Sequence, residues 1–497
     1  MTQIVDTKTD PTASAPTSAL PLYVDLDHTL VRTDVAQEML IRSAKSPAAL
    51  GRALKATLQQ GFSGLKATLA QEVPLRADLL PYNKAVLDYI TAARASGRPV
   101  ILATAADQHV AEAVAAHLGV FDEVIASSPG SNLKGAAKLA AIQAHCDHGP
   151  FEYLGDSRAD LPIWQAATAR GFAKAPKEAQ HWLDEATLQP SATGSTARAL
   201  LKAMRPHQWA KNALLFLPLI FAHLYTDGAS LMAAALGFLA FSLCASAVYL
   251  LNDLLDVDSD RAHATKCNRP FAAGTLRPFT GLAASAGLFA LALLLGALIG
   301  PLFLAILITY VTLTKAYSLW LKQYSTIDVV VLALLYTVRI IAGAAAIMVM
   351  PSPWLLTFSL FFFLSLAYMK RYIELSRLIA AEAQADERLP ARNYYSGDIT
   401  VVQTFGIANG ALSLLTLAEY VNSDTVKERY LTPEFLWLLL PVMMFWTYRS
   451  WMWANRDQIG DDPVVFALRD QISRISVAAM LAIVLLARYV DVGGFGG

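Results

Sequence analysis

The chain has 497 residues, enough for two or three domains that each bury a core of their own. Its 40 Lys and Arg balance 40 Asp and Glu, which excludes a nucleic-acid partner recruited by bulk charge. Three cysteines, Cys146, Cys244 and Cys267, are too few and too scattered for a disulfide framework or a zinc site.

The apolar fraction of 55% averages two unlike halves. The amino-terminal part mixes charged and apolar residues in soluble proportions, whereas from residue 212 onward long apolar runs alternate with short polar clusters. Residues 1–19 have neither an apolar core nor a signal-peptide layout, so a disordered leader is expected, followed by a domain that stays in the cytoplasm. Residues 20–187 read as α/β. Leu20–Val24, Val100–Thr104 and Phe151–Leu154 are short apolar runs that predict strands, and Asn83–Ala95 and Ala136–Ala144 predict helices. Such alternation implies a doubly wound parallel sheet with active residues at the carboxyl ends of its strands. Residues 34–78 break the pattern with helical sequence, as an inserted cap would, and residues 188–200, containing LQPSATGST, read as a linker.

The first strand runs into Asp25-Leu26-Asp27-His28-Thr29. A carboxylate at a strand end can attack phosphorus, and a second one two residues on can protonate the leaving oxygen. Thr104 closes the second strand, Lys134 follows in NLKG, and Gly155-Asp156-Ser157 with Asp160 follows FEYL. A hydroxyl and a lysine would hold phosphoryl oxygens, while the acids would hold Mg²⁺. This order and spacing resemble the haloacid-dehalogenase (HAD) superfamily of phosphatases. The resemblance implies a Rossmannoid fold with Asp25 as nucleophile and Asp27 as acid/base. It makes Thr104 and Lys134 phosphate ligands, with Lys138 competing for the lysine role, and Asp25, Asp27, Asp156 and Asp160 the metal-side acids.

Nine apolar segments follow, near 212–226, 229–251, 281–299, 301–319, 326–348, 353–369, 402–420, 435–452 and 475–490, most close to the roughly 20 residues that cross a bilayer. The loops after the second, fourth, sixth and eighth carry fifteen Lys and Arg, Arg388 among them, against Lys427, Arg429 and Arg488 on the opposite side. That asymmetry puts the even-to-odd loops and the soluble domain in the cytoplasm and the carboxyl terminus outside, in the inner (plasma) membrane.

The second segment ends in Asn252-Asp253-Leu254-Leu255-Asp256-Val257-Asp258-Ser259-Asp260. Asn252, Asp256 and Asp260 are spaced i, i+4, i+8, which stacks three oxygen ligands on one face where the helix continues. So many acids beside a membrane are costly unless cations share them, and hard carboxylate oxygens suit Mg²⁺ and a diphosphate. Lys266, Asn268 and Arg269 follow at once. N-D-x-x-D-x-x-x-D resembles the UbiA superfamily of intramembrane prenyltransferases across residues 200–497, which implies an all-α nine-helix transmembrane bundle.

Arg205-Pro206-His207-Gln208-Trp209-Ala210-Lys211-Asn212, Asn268-Arg269-Pro270, Lys370-Arg371-Tyr372 with Glu374, and Ala467-Leu468-Arg469-Asp470 narrow the resemblance to the polyprenyl-phosphate phosphoribosyltransferase branch. The branch implies transfer of ribose 5-phosphate from 5-phosphoribosyl diphosphate (PRPP) to a lipid phosphate, as in cell-wall biosynthesis. Aromatic prenyltransferases usually carry a second acidic motif where this chain has Lys370 and Arg371, a basic pair that suits an additional phosphate. Asn252, Asp253, Asp256 and Asp260 are the catalytic set, with Asn252, Asp256 and Asp260 the metal ligands. Lys211, Asn212, Lys266, Arg269, Arg339, Lys370 and Arg371 are the substrate ligands. Asp328 and Arg339 lie eleven residues apart on the fifth segment, and an arginine that deep is a functional candidate or half of a structural pair. The rival enzyme reading is prenyl transfer from a lipid diphosphate to an aromatic or other small acceptor; the rival non-enzyme reading is a lipid-binding scaffold. Oligomeric state stays open, a homo-oligomer included.

Overall fold

The computed structural model describes residues 20–44, 46–128, 130–190, 194–380, 389, 392–460 and 462–491. The expected leader, part of the expected linker and Arg388 lie outside the described residues. The chain divides into two compact units, Met1–Met204 with Ala247–Ala286, and Arg205–Ser246 with Gly287–Gly497.

In the first unit, strands β1 (Leu22–Val24), β2 (Val100–Asp107), β3 (Glu123–Ser127), β4 (Glu152–Gly155) and β5 (Ala169–Phe172) form one parallel sheet in the order β3-β2-β1-β4-β5. Residues of β1 and β4 are buried throughout, as apolar runs covered on both faces should be. Because β1 lies between β2 and β4, the turns that leave these three strands open into one crevice, where doubly wound sheets place their ligands. The expected cap is helical, α1 (Val35–Ser43) and α2 (Pro47–Glu72), the second broken at Gly61, whose φ is +67°. Asp34 caps α1 by accepting from the Gln37 N–H at 2.9 Å. The sheet is flanked by α3 (Lys84–Ala95), α4 (Gln108–Leu118), α5 (Ala136–His145) and α6 (Leu161–Ala166), and α7 (Thr196–Met204) follows. Strand and helix bounds agree with the sequence expectation to within three residues at each end.

The remainder is helical: α8 (Leu217–Phe221), α9 (Gly228–Leu255), α10 (Val257–Arg261), α11 (Pro278–Ile299), α12 (Pro301–Leu319), α13 (Ile327–Ala346), α14 (Pro353–Ala380), α15 (Ile399–Asn422), α16 (Asp424–Arg429), α17 (Leu439–Asn455), α18 (Pro463–Arg469) and α19 (Gln471–Tyr489). Among the described residues, 7 helices are long and apolar enough to cross a membrane: α9, α11, α12, α13, α14, α15 and α19. The other two of the nine expected segments are broken. The segment near 212–226 is a 3₁₀ stretch, Pro206–Phe216, running into the five residues of α8, and the segment near 435–452 is a 3₁₀ stretch, Pro433–Leu438, running into α17. Pro206, Pro218 and Pro433 stand in the first turn of these stretches, where a missing donor costs nothing, so they mark where the stretches begin and not why they are broken.

The core of the second unit packs α13 and α14 through Val329, Ala333, Ile340, Phe363 and Leu366, with Leu215, Phe241, Phe303 and Tyr310 in a neighbouring cluster. A Cβ at Gly343 would lie 2.1 Å from the Leu215 carbonyl oxygen, so only glycine lets α13 approach that turn so closely.

Candidate active sites

Asp25 leaves β1, Asp156 leaves β4, and Asp160 sits one turn further on; one carboxylate oxygen from each lies within 4.8 Å of the others. All three are buried. Asp160 is held by the Tyr153 hydroxyl at 2.8 Å and by the Ser157 N–H and hydroxyl at 3.0 and 2.9 Å. Lys138 of α5, itself buried, places Nζ 3.0 Å from Asp25 and 3.4 Å from Asp160. Lys134 is exposed, on the loop before α5, so the geometry brings Lys138 and not Lys134 to Asp25. Thr104 is buried in β2, and its hydroxyl accepts from the Ala106 N–H at 3.0 Å. Asp27 stands outside the three-acid cluster, its carboxylate accepting from the Val35 N–H at 2.9 Å.

The electrostatics follow from burial. Burial pushes Asp27 well above the usual carboxylate range, and the charge of Asp34 adds to the rise. Burial raises Asp25 as well, although the Lys138 ammonium pulls it back. Burial, with Asp25 and Asp160 as like charges, pushes Asp156 up to about 8. Three buried carboxylates around one ammonium leave an excess of negative charge on hard oxygen donors, and that donor set fits Mg²⁺. Lys66 of α2, absent from the sequence expectation, reaches the crevice from the cap: its Nζ donates to the Ala105 carbonyl at 2.6 Å, and its charge is felt by Asp27. Only the helical interruption at 34–78 could have pointed to it.

In the Asp-rich segment α9 stops at Leu255 and α10 restarts at Val257, with Asp256 between them at φ −102°, ψ 17°. The i to i+4 bonds nonetheless carry across, Asp256 N–H to Asn252 O and Asp260 N–H to Asp256 O, both at 2.9 Å. Asp253 and Asp260 are buried, Asn252 is half-buried and Asp256 is exposed. Nη1 of Arg269 lies 3.2 Å from Asp253 and 2.7 Å from Asp260, so one guanidinium bridges two carboxylates of the motif. Asp258 turns elsewhere and pairs with Arg42 at 2.7 Å. Lys266 is exposed.

In the second unit, Lys211 pairs with Asp462, which also caps α18 through the Val464 N–H at 3.0 Å. Burial opposes the Asp462 charge, yet Lys211 and Lys370 hold the carboxyl below its usual range. Asp462 was not foreseen, although Asp-Pro ahead of VVFALR is a helix-start signal. Asn212 donates to Ser242 at 3.0 Å and accepts from Arg339 Nε at 2.9 Å; Arg339 also donates to Tyr310 at 3.0 Å. Arg371 and Asp328 are each 0% exposed and pair at 2.8 Å. Tyr394 donates to Asp328 at 2.6 Å, and Arg392 lies 3.5 Å from both Asp328 and Glu374. Arg339 and Asp328, which the sequence put three turns apart on one face, therefore satisfy separate partners.

Residues 214–386 match the model of the UbiA prenyltransferase family, and residues 22–165 match that of haloacid dehalogenase-like hydrolases. The chain is 36% identical over 464 residues to the uncharacterized protein y4nM of Sinorhizobium fredii, covering 91% of this chain and 88% of that protein. It is 32% identical over 282 residues to nodulation protein NoeC of Azorhizobium caulinodans, covering 56% and 90%. Identity to the decaprenyl-phosphate phosphoribosyltransferase of Mycolicibacterium smegmatis is 34% over 234 residues, covering 46% of this chain and 72% of that protein.

Proposed function

The chain belongs to the UbiA prenyltransferase family and carries a haloacid dehalogenase-like domain ahead of it, and from that premise we propose a two-step membrane enzyme. The first step moves 5-phosphoribose from PRPP to a polyprenyl phosphate; the second removes the 5-phosphate from the lipid product. The transferase half rests on the relatives named decaprenyl-phosphate phosphoribosyltransferase, and on basic Lys370 standing where a second acidic motif would serve a prenyl diphosphate. The observation that carries the phosphatase half is the convergence of Asp25, Lys138, Asp156 and Asp160 at one crevice.

In the transfer, an oxygen of the polyprenyl phosphate forms a bond to ribose C1 as the bond from C1 to the diphosphate breaks. The nucleophile is already ionised, so no side chain need take a proton. Arg269 and Lys266 are assigned to the departing diphosphate, and Lys211, Asn212, Arg339 and Lys370 to the remaining phosphates, Arg371 being taken up by Asp328 and Glu374. In the hydrolysis, a carboxylate oxygen of Asp25 bonds to phosphorus while the bond from phosphorus to ribose O5 breaks, and Asp27 donates its proton to that oxygen. Asp27 then takes a proton from the water that splits the aspartyl phosphate, which returns Asp25 and releases inorganic phosphate. Thr104 and Lys138 hold the phosphoryl oxygens throughout. Mg²⁺ held by Asp25, Asp156 and Asp160, and by Asn252, Asp256 and Asp260 in the membrane half, would stabilise charge on the transferring phosphoryl group and on the leaving diphosphate.

Topology supports one shared face. Seven apolar helices make this a multi-pass membrane protein, and Glu38 pairs with Arg261 inside the first unit. The phosphatase domain and the end of α9 then lie on the same side of the membrane.

Purified full-length protein given radiolabelled PRPP, polyprenyl phosphate and Mg²⁺ should yield a ribosyl lipid and inorganic phosphate. Prenyl transfer to a small acceptor without label entering lipid from PRPP would establish the rival reaction and sink this one.

A further inference from the structure

Residues 262–277 join α10 to α11, and within the first unit they lie against the stretch that follows the nucleophile motif. Glu38 of α1 takes Arg261 with two prongs, Nη1 to Oε2 at 3.0 Å and Nη2 to Oε1 at 2.7 Å, both side chains being 7% exposed or less. Gly274 sits at φ +69°, where a Cβ would lie 2.7 Å from Arg32 Cβ and 3.0 Å from its carbonyl, so the loop backbone rests directly on residue 32. Beyond it, the Phe279 N–H reaches the Gln37 side-chain oxygen at 3.4 Å.

These contacts bracket Arg277 and hold it beside the mouth of the Asp25 crevice. Its side chain is exposed and has no ion-pair or hydrogen-bond partner among the described residues. Asp27 accepts from the Val35 N–H at 2.9 Å, so the stretch from Arg32 to Gln37 that carries this loop also edges the nucleophile motif. The residue after Arg277 is Pro278, the first of a membrane-crossing helix, which puts the guanidinium at the level of lipid headgroups. An unpaired arginine is therefore set between the phosphatase crevice and the membrane surface.

We propose that Arg277 is a specificity residue of the phosphatase site, taking the phosphodiester of a membrane-anchored substrate whose terminal phosphomonoester lies at Asp25. This rests on the reading of the sheet domain as a phosphatase acting on the ribosyl lipid. Such a lipid carries two anions, a monoester to be cleaved and a diester that ties the sugar to the prenyl chain. The crevice supplies Asp25, Thr104 and Lys138 for the first. Arg277 supplies the second with a planar two-pronged donor, and it does so at the depth where the diester of an anchored lipid must stay. A soluble sugar phosphate lacks that second anion and gains nothing from Arg277.

The test compares hydrolysis of farnesyl-phosphoryl-ribose 5-phosphate with that of ribose 5-phosphate by full-length protein in nanodiscs. For Arg277→Ala the ratio of the two kcat/KM values should fall about tenfold or more, mainly through KM for the lipid ester. Arg277→Glu should fall further, and Arg277→Lys should recover part of the loss. Hydrolysis of ribose 5-phosphate reports in each variant that the site is folded. An unaltered ratio in the Ala and Glu variants, or a wild type with no preference for the lipid ester, overturns the proposal and leaves the phosphatase standing. A wild type that cleaves neither ester removes the phosphatase reading and this inference with it.

Discussion

Two buried charge clusters in this chain have opposite compositions. In the first unit Asp25, Asp156 and Asp160 surround one cation, Lys138. In the second, Asp328 and Glu374 face Arg371 and Arg392, two acids against two bases. A balanced cluster needs no further ion, and part of its desolvation cost is offset by its own partners. An acid-rich cluster is incomplete, which is what a site waiting for a cation and a phosphate should be. Burial alone does not separate function from scaffolding, because Asp328 is more deeply buried than Asp25. The local charge balance does. By that measure Arg371, assigned to a substrate phosphate on sequence grounds, already has a full-time carboxylate partner, whereas Lys370 has no such exclusive one.

The largest expected effect falls on the acid-rich side. Asp25→Asn removes the proposed nucleophile with almost no change in size, and the proposed phosphatase turnover should drop by at least about a thousandfold. In the coupled reaction the variant should accumulate ribosyl lipid that keeps its 5-phosphate, read by chromatography of the labelled lipid. Wild type and variant stopping at the same phosphorylated product would mean that the sheet domain does not act on the transferase product.

Next in size is the balanced cluster. Asp328→Asn leaves Arg371 and Arg392 with Glu374 alone, two bases against one acid, and the second unit should lose about 3 kcal/mol. Thermal unfolding in detergent would show this as a clear drop in midpoint. A midpoint equal to wild type would mean that Arg371 finds another anion, and would restore it as a substrate ligand.

A smaller effect of opposite sign is expected for Asp156→Asn. Asp156, pushed up to about 8, gives up below that pH the charge it would carry in the unfolded chain, a folding cost that Asn does not have, so the Mg²⁺-free protein should gain on the order of 1 kcal/mol. The same variant should lose the rise in melting temperature that Mg²⁺ gives the wild type. Destabilisation without Mg²⁺ would show that Asp156 is held by its neighbours much as Asp328 is, and the contrast between the clusters would fail.

Much of this could be read from the chain. Periodicity located β1, β2 and β4, and the ends of β1 and β4 bring Asp25 and Asp156 together. Hydropathy found the membrane helices but overcounted long ones, because an apolar run with a proline near its start looks the same whether it begins as an α-helix or as a 3₁₀ turn. Contacts between distant residues were not legible. Nothing near Asp328 in sequence names Arg371 or Tyr394, and nothing near Asp258 names Arg42, since each pair forms only when separate elements pack. The Asp-rich motif shows both sides of this: its i to i+4 bonds carry across Asp256, but the spacing did not tell that the helix would break there, that Arg269 would bridge Asp253 and Asp260 or that Asp258 would leave the group.

The smallest predicted effect concerns the lysine that the sequence could not choose. Lys134 and Lys138 are four residues apart, one turn of helix, so a pattern that tolerates a loop of variable length fits either. The structure separates them by position: α5 begins at Ala136, so Lys138 lies inside the helix with its stem buried, and Lys134 lies before it in solvent. A phosphate ligand must be held where the phosphoryl group will be, and a flexible exposed ammonium gives that up to water. Lys134→Ala should therefore change kcat and KM for a soluble phosphate ester by no more than about twofold. Lys138→Met, similar in length but uncharged, should lower kcat by about a hundredfold or more, having removed the one cation among three acids. Lys66 approaches the same crevice from the cap, so residual activity in Lys138→Met that vanishes in a Lys66→Met, Lys138→Met double variant would mean the two cations share the role. A loss in Lys134→Ala equal to that in Lys138→Met would instead place the exposed loop over the phosphate during turnover, and the charge count of the acid-rich cluster would have to include it.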